Sequence, residues 1–548
     1  MTPAFVARLA PAALAALVLL AGCAAPPAAP PDRPRLVVLL VVDGLPQRQV
    51  TAYRDQLGPD GLNRFLERGA WFPQARYGHA ETLTAPGHAT ILTGAYPRAT
   101  GIIDNEWRDP VTGDRVYCVG DARHRYLGHP TAPLAGTSPA NLRAQSLGDV
   151  LKAADARSKV IAVSGKDRGA ILPAGRDGTA YVFMPQTGRF DSTTYYLEKL
   201  PAWVDAFNRA RPADRYFGAT WSPLLPEMAY ARSVPDEQPW FARGGKLPKR
   251  MGEGLDAPGP MFYGRLYQSP FLDALLLEFA RAAIDGESLG QDDAPDLLAV
   301  SLSSHDYVNH AWGPESRLSH DHVLQVDQLL AAFFRALDRK VGADRYVAVL
   351  TADHGFAPAP EYARSRGMDG GRLHPGQALA SLEAGLASRF GEGPWARGWS
   401  GQGILLDRPL AARRGIDARE LAEAAADVLR AEPGIAAAFT RAQIEDDAIA
   451  SLPFLGAVRK GWHRERSPDL QVVMKPGWML SSYRTGTTHG SPHDYDTHVP
   501  MLFYGPRWVK PGRIDEAAEV TDIAPTLAGL LGIAAPSSAE GRALAPRP

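Results

Sequence analysis

Three apolar runs, each closing on an aspartate, constrain this chain more than any other feature. LVVLLVV (Leu36–Val42) leads into Asp43. The run Leu297–Leu302 leads through Ser303-Ser304-His305 to Asp306, and Tyr346–Leu350 leads through Thr351-Ala352 to Asp353. A continuous apolar run without alternation is the pattern of a strand buried on both faces, as in parallel sheets. Shorter runs of the same kind lie at Val160–Val163, Ala180–Met184, Leu470–Met474 and Met501–Tyr504. Val323, Val326, Leu330, Phe333 and Leu337 recur at three and four, which puts them on one helix face. Phe271–Ile284 and Ala418–Leu429 also read as helices. Thr521–Thr526 opens a last one, with Pro525 in its first turn and Gly532 closing it. Strands alternating with helices predict an α/β fold: a mostly parallel central sheet with helices on both faces.

In open sheets of this kind, ligands bind beyond the carboxyl ends of the strands. One aspartate at such a place is ordinarily a helix cap or a turn residue. Three, two of them beside histidines, point to a metal. His310 lies four residues after Asp306, on the same helix face if the segment is helical, and His354 follows Asp353 directly. His489, His493 and His498 are further candidates. The two cysteines, Cys23 and Cys118, cannot build a four-thiolate site or a disulfide framework. Asp and His ligation suits zinc best, with manganese or iron as alternatives. A hydroxyl at a helix start meets unpaired N–H groups and the positive end of the helix dipole, which favours a phosphate there. His79–Thr90 offers Thr82 or Thr84 for that role, with Pro86 and Gly87 interrupting the segment before it turns helical; the residues alone do not choose between the two threonines.

Composition narrows the partners. With 59 basic against 60 acidic side chains, the net charge of -1 gives no electrostatic case for nucleic acid. A chain that is 45% hydrophobic and 22% charged is globular. At the amino end, Arg8 precedes an apolar run from Leu9 to Leu20, too short to span a bilayer comfortably and of signal-peptide length. It ends Leu20-Ala21-Gly22-Cys23, which resembles a bacterial lipoprotein signal. The expectation is a signal peptide over 1–22 and a lipidated Cys23 on a proline- and alanine-rich tether to residue 34. Ala24 after the cysteine favours the outer membrane, facing the periplasm. A catalytic domain is expected over 35–535, with insertions near 185–269 and 361–478, and a tail over 536–548. No internal repeat is present.

The motifs VVDGL, TAPGHATILTGAYPRATGIIDNEW, SGKDRGA, HDYVNHAWGP, TADHG, THGSPHDYDTHVPMLFYG and TDIAPTLAGLLGI follow one another from Leu36 to Ile533. Their ordered conjunction resembles the alkaline phosphatase superfamily, most closely its phosphate-irrepressible, single-domain bacterial alkaline phosphatases. The resemblance implies Thr84 as nucleophile and two zinc ions. Asp43, Asp353 and His354, with the Thr84 oxygen, match one zinc site; Asp306, His310 and His489 match the other. His493 and His498 then either support the ligands from behind or are structural, and His88 packs beside the helix. The implied reaction passes through a phosphothreonine, one zinc activating Thr84 and the other stabilising the departing oxygen.

Superfamily membership leaves the substrate open. Formylglycine sulfatases need a Cys or Ser where this chain has Thr84, so that reading is poor. Lys166 and Arg168 match the cations that contact phosphate in the monoesterase group, and on an extended segment they share a face. Asn105 matches a donor to a phosphate oxygen but has a counterpart in diesterases. A non-enzymatic phosphate- or metal-binding lipoprotein would ordinarily have lost one of these positions, and here each is filled. The reading is a phosphomonoesterase for small monoesters, working best at alkaline pH as a monomer; a phosphodiesterase or nucleotide pyrophosphatase is the alternative.

Overall fold

Residues with no polar side chain in seven consecutive positions can be satisfied only at the centre of a sheet, and Leu36–Val42 (β1) is found there, each residue at most 1% exposed. The computed structural model describes residues 32–449 and 451–545. The expected signal segment, Cys23 and the tether up to residue 31 lie outside the described residues, as do the last three residues of the tail.

The main sheet has nine strands: β1, β2 (Ala70–Trp71), β3 (Val160–Ser164), β4 (Thr179–Met184), β5 (Arg189–Asp191), β6 (Asp296–Leu302), β7 (Tyr346–Thr351), β8 (Met501–Tyr504) and β9 (Gly512–Arg513). Their spatial order is β9-β2-β8-β7-β1-β6-β3-β4-β5. The five central strands, β7 to β4, are parallel; β8 and β5 join antiparallel. Register matters most at the middle. Val42 lies opposite Leu302, and Val41 opposite Thr351. The three strands therefore end level and deliver the chain toward Asp43, Asp306 and Asp353 at one edge.

Five helices frame that edge: α1 (Thr84–Thr93), α2 (Asp167–Ala174), α3 (Pro270–Gly286), α4 (Ser304–Trp312) and α5 (Arg317–Lys340). The apolar series Val323 to Leu337 is buried along α5, as its period requires. α1 packs on α2, and α4 on α5. The segment 185–269 is anchored to α4 through Trp221, Phe241 and Leu247, which share a buried cluster with Val308, Ala311 and Trp312. It is also tied to α5, where Asp321 accepts from Trp221 Nε1 (2.6 Å) and Leu224 N (2.8 Å). The final helix, Ile523–Leu531, follows a 3-10 turn at Val520–Asp522 and ends at Gly532 with φ 68°, a conformation that suits glycine.

One strand is not where a reading by type alone puts it. Leu470–Met474 belongs to a separate four-stranded antiparallel sheet, flanked by Gly403–Leu406 and Ile435–Thr440, with Ala396–Ser400 outermost. Burial on both faces makes it resemble a main-sheet strand. Its partners are instead the short strands of the 361–478 region, and its other cover comes from the helices α6 (Pro375–Phe390) and α7 (Ala418–Ala431). Leu382, Leu386, Trp395, Leu421, Leu429, Leu470 and Val472 form a core of their own. Leu382→Ala, at a fully buried position, is expected to cost about 2–5 kcal/mol. Hydrogen exchange should then accelerate within residues 375–474 and stay slow in β1; equal acceleration in β1 would show that the two cores open together.

Candidate metal and phosphate site

β1 ends at Asp43, and Gly44 turns the chain away with φ +72°. That conformation is strained for any residue with a Cβ, and a Cβ here would also stand 3.1 Å from the Asp306 Cα. The Gly44 amide donates to Asp353 Oδ1 at 3.0 Å, and Asn309 Nδ2 donates to the Gly44 carbonyl at 3.0 Å. The DG pair thus lets two strand ends approach while a backbone N–H steadies the third acid. Asp306 is carried in the first turn of α4, a few residues beyond the end of β6, and His310 follows one turn later, its Nε2 3.3 Å from Asp306 Oδ1.

The donors fall into two groups. In each, the ligand atoms lie within 4.8 Å of one another: Asp43, Asp353 and His354 in one, Asp306, His354 and His489 in the other. His354 belongs to both. Its Nε2 is 3.6 Å from Asp43 Oδ1, 3.4 Å from Asp353 Oδ2 and 3.9 Å from Asp306 Oδ1. His489 Nε2 is 3.4 Å from Asp306 Oδ1, its ring stacked on His354 with centroids 3.4 Å apart. His310 joins the second group through Asp306. Each imidazole is oriented by a backbone carbonyl at Nδ1: Gly355 for His354 (2.9 Å), Thr487 for His310 (2.9 Å) and Thr82 for His489 (2.8 Å). That leaves every Nε2 facing the acids, the arrangement a metal-binding histidine needs.

Burial drives the Asp43 carboxyl well above the usual range, and neighbouring Asp353 adds to the rise. At Asp306 and Asp353 burial also resists ionisation. Lys166 and His310 outweigh it at Asp306, as do His354 and His88 at Asp353, and both are held below the usual range. Burial keeps His354 neutral down to about 3 and lowers His489 too. Three carboxylates at one place are unstable without cations. Asp43 Oδ1, Asp306 Oδ1, Asp353 Oδ2 and His354 Nε2 are buried without a hydrogen bond among the described residues. Such orphaned O and N donors fit two divalent ions of the zinc type.

Thr84 stands at the first residue of α1, beside these donors. Pro86 and Gly87 do not interrupt the approach to the helix; they lie within its first turn, where a missing N–H costs nothing. Gly87 is dictated by contact, since a Cβ would stand 2.1 Å from the Asp353 carbonyl oxygen. Thr82 is otherwise engaged, its hydroxyl donating to Ser491 O at 2.8 Å. Thr84 Oγ1 instead faces Lys166 Nζ at 3.4 Å. His88 is packed beside the helix, bridging Thr84 O and Ser301 Oγ, both at 2.8 Å, and lying 3.3 Å from Asp353 Oδ2. His493 Nε2 meets Met474 O (2.8 Å) and His498 Nε2 meets Pro73 O (2.6 Å), outside both donor groups.

Lys166 and Arg168 do not sit on an extended segment. The chain turns helical at Asp167, so Lys166 caps α2 and Arg168 is its second residue; the small and apolar residues Gly169 to Leu172 continue as a buried helical face. Lys166 Nζ lies 2.7 Å from both Asp43 Oδ2 and Asp306 Oδ2, between the two donor groups. Arg168 reaches Tyr117 Oη at 3.2 Å, and that hydroxyl in turn donates to Asp167 Oδ1 at 2.5 Å. The Arg168 Nε is buried with no hydrogen-bond partner among the described residues. Asn105 Oδ1 accepts the Ala85 N–H at 2.8 Å, which directs its NH2 elsewhere. No local pattern in the sequence points to Tyr117, Ser301 or the three orienting carbonyls.

Residues 37–496 match the model of the type I phosphodiesterase / nucleotide pyrophosphatase family. The chain belongs to this family, within the alkaline phosphatase superfamily. It is 34% identical over 515 residues to the alkaline phosphatase PafA of Elizabethkingia meningoseptica, covering 93% of this chain and 94% of that one. It is likewise 34% identical over 525 residues to the alkaline phosphatase PhoV of Synechococcus elongatus, covering 93% and 92%. The fold matches the crystal structure of wild-type PafA with a TM-score of 0.87 at 33% identity, over 94% of this chain and 99% of that one.

His354→Ala, which removes a donor from the Asp43 and Asp353 group, and His489→Ala, which removes one from the Asp306 group, are each expected to lower the bound divalent metal, read by elemental analysis of the purified proteins. Wild-type metal content in either variant would remove that histidine from the ligand set. Gly87→Ala, which drives α1 against Asp353, should weaken metal retention in competition with a chelator while leaving the far-UV circular dichroism unchanged.

Proposed function

We propose that this chain is an exported, zinc-dependent phosphomonoesterase that transfers the phosphoryl group of small monoesters to Thr84 and then to water. The observation that carries the reading is Lys166, which faces Thr84 Oγ1 and lies between the two metal-donor groups, with a second cation, Arg168, two residues on at the start of the same helix. A monoester brings two negative charges on its nonbridging oxygens and gains from both cations; a diester brings one charge and a second organic group. The relatives named alkaline phosphatases support the same choice.

Asp43, Asp353, His354 and the Thr84 oxygen would hold one zinc, and Asp306, His310 and His489 the other. When bound, the ions supply Lewis-acid stabilisation of developing charge and ease deprotonation of oxygen nucleophiles. The chain's own groups do the positioning. The Thr84 backbone is fixed by α1 and His88, which aims the hydroxyl oxygen at phosphorus. Thr84 displaces the ester oxygen in line, the alcohol leaves with a proton, and water later displaces Thr84 in a second in-line step. Two inversions give net retention at phosphorus. Arg168 can grip two phosphoryl oxygens in a fork, Lys166 adds a point charge, and Asn105 offers its NH2 to another oxygen. The leader before Cys23 and the cysteine itself would carry the enzyme, as a monomer, to the periplasmic face of the outer membrane.

The phosphodiesterase alternative rests on the family's own description. Comparing an aryl phosphate with a bis-aryl phosphate distinguishes the two: the monoester should be preferred, and Arg168→Ala should lower its kcat/KM by about 10- to 100-fold. Preference for the diester, with indifference to Arg168, would reject the monoesterase reading. Thr84→Ala should reduce turnover by at least ~10³-fold, and acid-quenched wild type should carry a phosphate on Thr84 by mass spectrometry. Chelation should abolish turnover and zinc should restore it. Cys23→Ser should move the protein from the membrane to the soluble fraction; continued membrane association would remove the lipid anchor.

A further inference from the structure

A cavity of about 240 Å³ opens directly beside the site. Its wall includes His489, a member of the second donor group, Leu83, which precedes Thr84, and Asp104, which precedes Asn105. The opposite wall comes from the 361–478 region and its border through Gln402, Met474 and Trp478. A phosphoryl group held at Thr84 must direct its ester substituent out of the donor cluster, and this cavity meets that cluster at His489.

The chemistry of the wall is one-sided. Among the described residues it carries two carboxyl groups, Asp104 and Asp496, and no lysine or arginine. Asp496 is only 1% exposed. Its Oδ2 accepts from Ser491 N at 2.9 Å and Ser491 Oγ at 2.6 Å, while its Oδ1 is buried with no hydrogen bond. Sealed in this way, Asp496 acts on the cavity through its charge, its Oδ1 lying behind the wall. Asp104 Oδ1 accepts from Asn105 N at 2.6 Å and Glu106 N at 3.3 Å. Burial pushes both carboxyls up to about 7, while their hydrogen bonds and the charges of Arg168 on Asp104 and Arg48 on Asp496 pull the other way. The rest of the lining mixes neutral polar groups, such as Gln402 and Thr488, with Met474 and the aromatic faces of Trp478 and Tyr495, and aromatic faces also favour an ammonium group.

We propose that this cavity is the subsite for the ester's organic group, and that it selects phosphomonoesters of amino alcohols over esters carrying a second anionic group. The inference rests on the phosphomonoesterase reading above and adds a substrate class to it. Phosphoethanolamine and phosphoglycolate are matched probes, of similar length and ending in an ammonium and a carboxylate respectively. The kcat/KM of the wild type at alkaline pH should favour phosphoethanolamine by about tenfold or more, the worth of one charge-assisted hydrogen bond. Asp496→Asn should reduce that ratio several-fold, with phenyl phosphate turnover retained. Gln402→Lys, which adds a cation to the wall, should lower the ratio toward one or reverse it, and keeps the test decisive if Asp496→Asn does not fold.

A wild-type ratio near one, or a ratio unmoved by both variants while phenyl phosphate is still hydrolysed, would overturn the subsite and leave the monoesterase reading intact. Failure of the metal-loaded wild type to hydrolyse all three monoesters would overturn both.

Discussion

Three carboxylates brought level at the ends of three adjacent parallel strands repel one another, and the surrounding structure is organised to hold them there. β6, β1 and β7 place Asp306, Asp43 and Asp353 within reach of a single imidazole, His354. Removal from water makes each ionised acid more costly. Positive charge must come from Lys166, from metal ions, or from both. The helices that start at this edge, the glycines that admit close approach and the carbonyls that turn each imidazole inward all serve that one electrostatic problem.

The parts legible in the sequence are those whose cause is local. Leu36–Val42 announces a central strand because no partially exposed position tolerates seven apolar residues in succession. Asp43 reads as the residue that closes the strand, whereas the turn at Gly44 with positive φ is seen only in the structure. The spacing of Asp306 and His310 is meaningful because α4 supplies the period that makes them neighbours. Thr84 could be separated from Thr82 only through resemblance. The structure supplies the reason the residues themselves lacked, namely that the Thr82 hydroxyl and carbonyl are both committed elsewhere.

Where the sequence misleads, the deciding interaction is distant along the chain. Leu470–Met474 has the composition of a main-sheet strand, yet its pairing partners, Gly403–Leu406 and Ile435–Thr440, are themselves inconspicuous. Burial on both faces identifies a strand and says nothing about which sheet buries it. Lys166 and Arg168 read naturally as neighbours on an extended segment. What bends them into a helix start is the packing of α2 on α1, a contact between residues about eighty positions apart. Tyr117, which orients Arg168, belongs to a short hairpin with no pattern that marks it.

The second core, around Leu382, Leu421 and Leu470, has a consequence of an evolutionary kind. Asp43, Asp306, Asp353 and Thr84 sit at the ends of the main sheet and on its framing helices, whereas Gln402, Met474 and Trp478 come from a region that buries its own side chains. That region supplies none of the three strand-end acids. Under the subsite proposed above, a lineage can therefore alter which alcohols it accepts by remodelling one wall, without renegotiating the crowded acids at the strand ends.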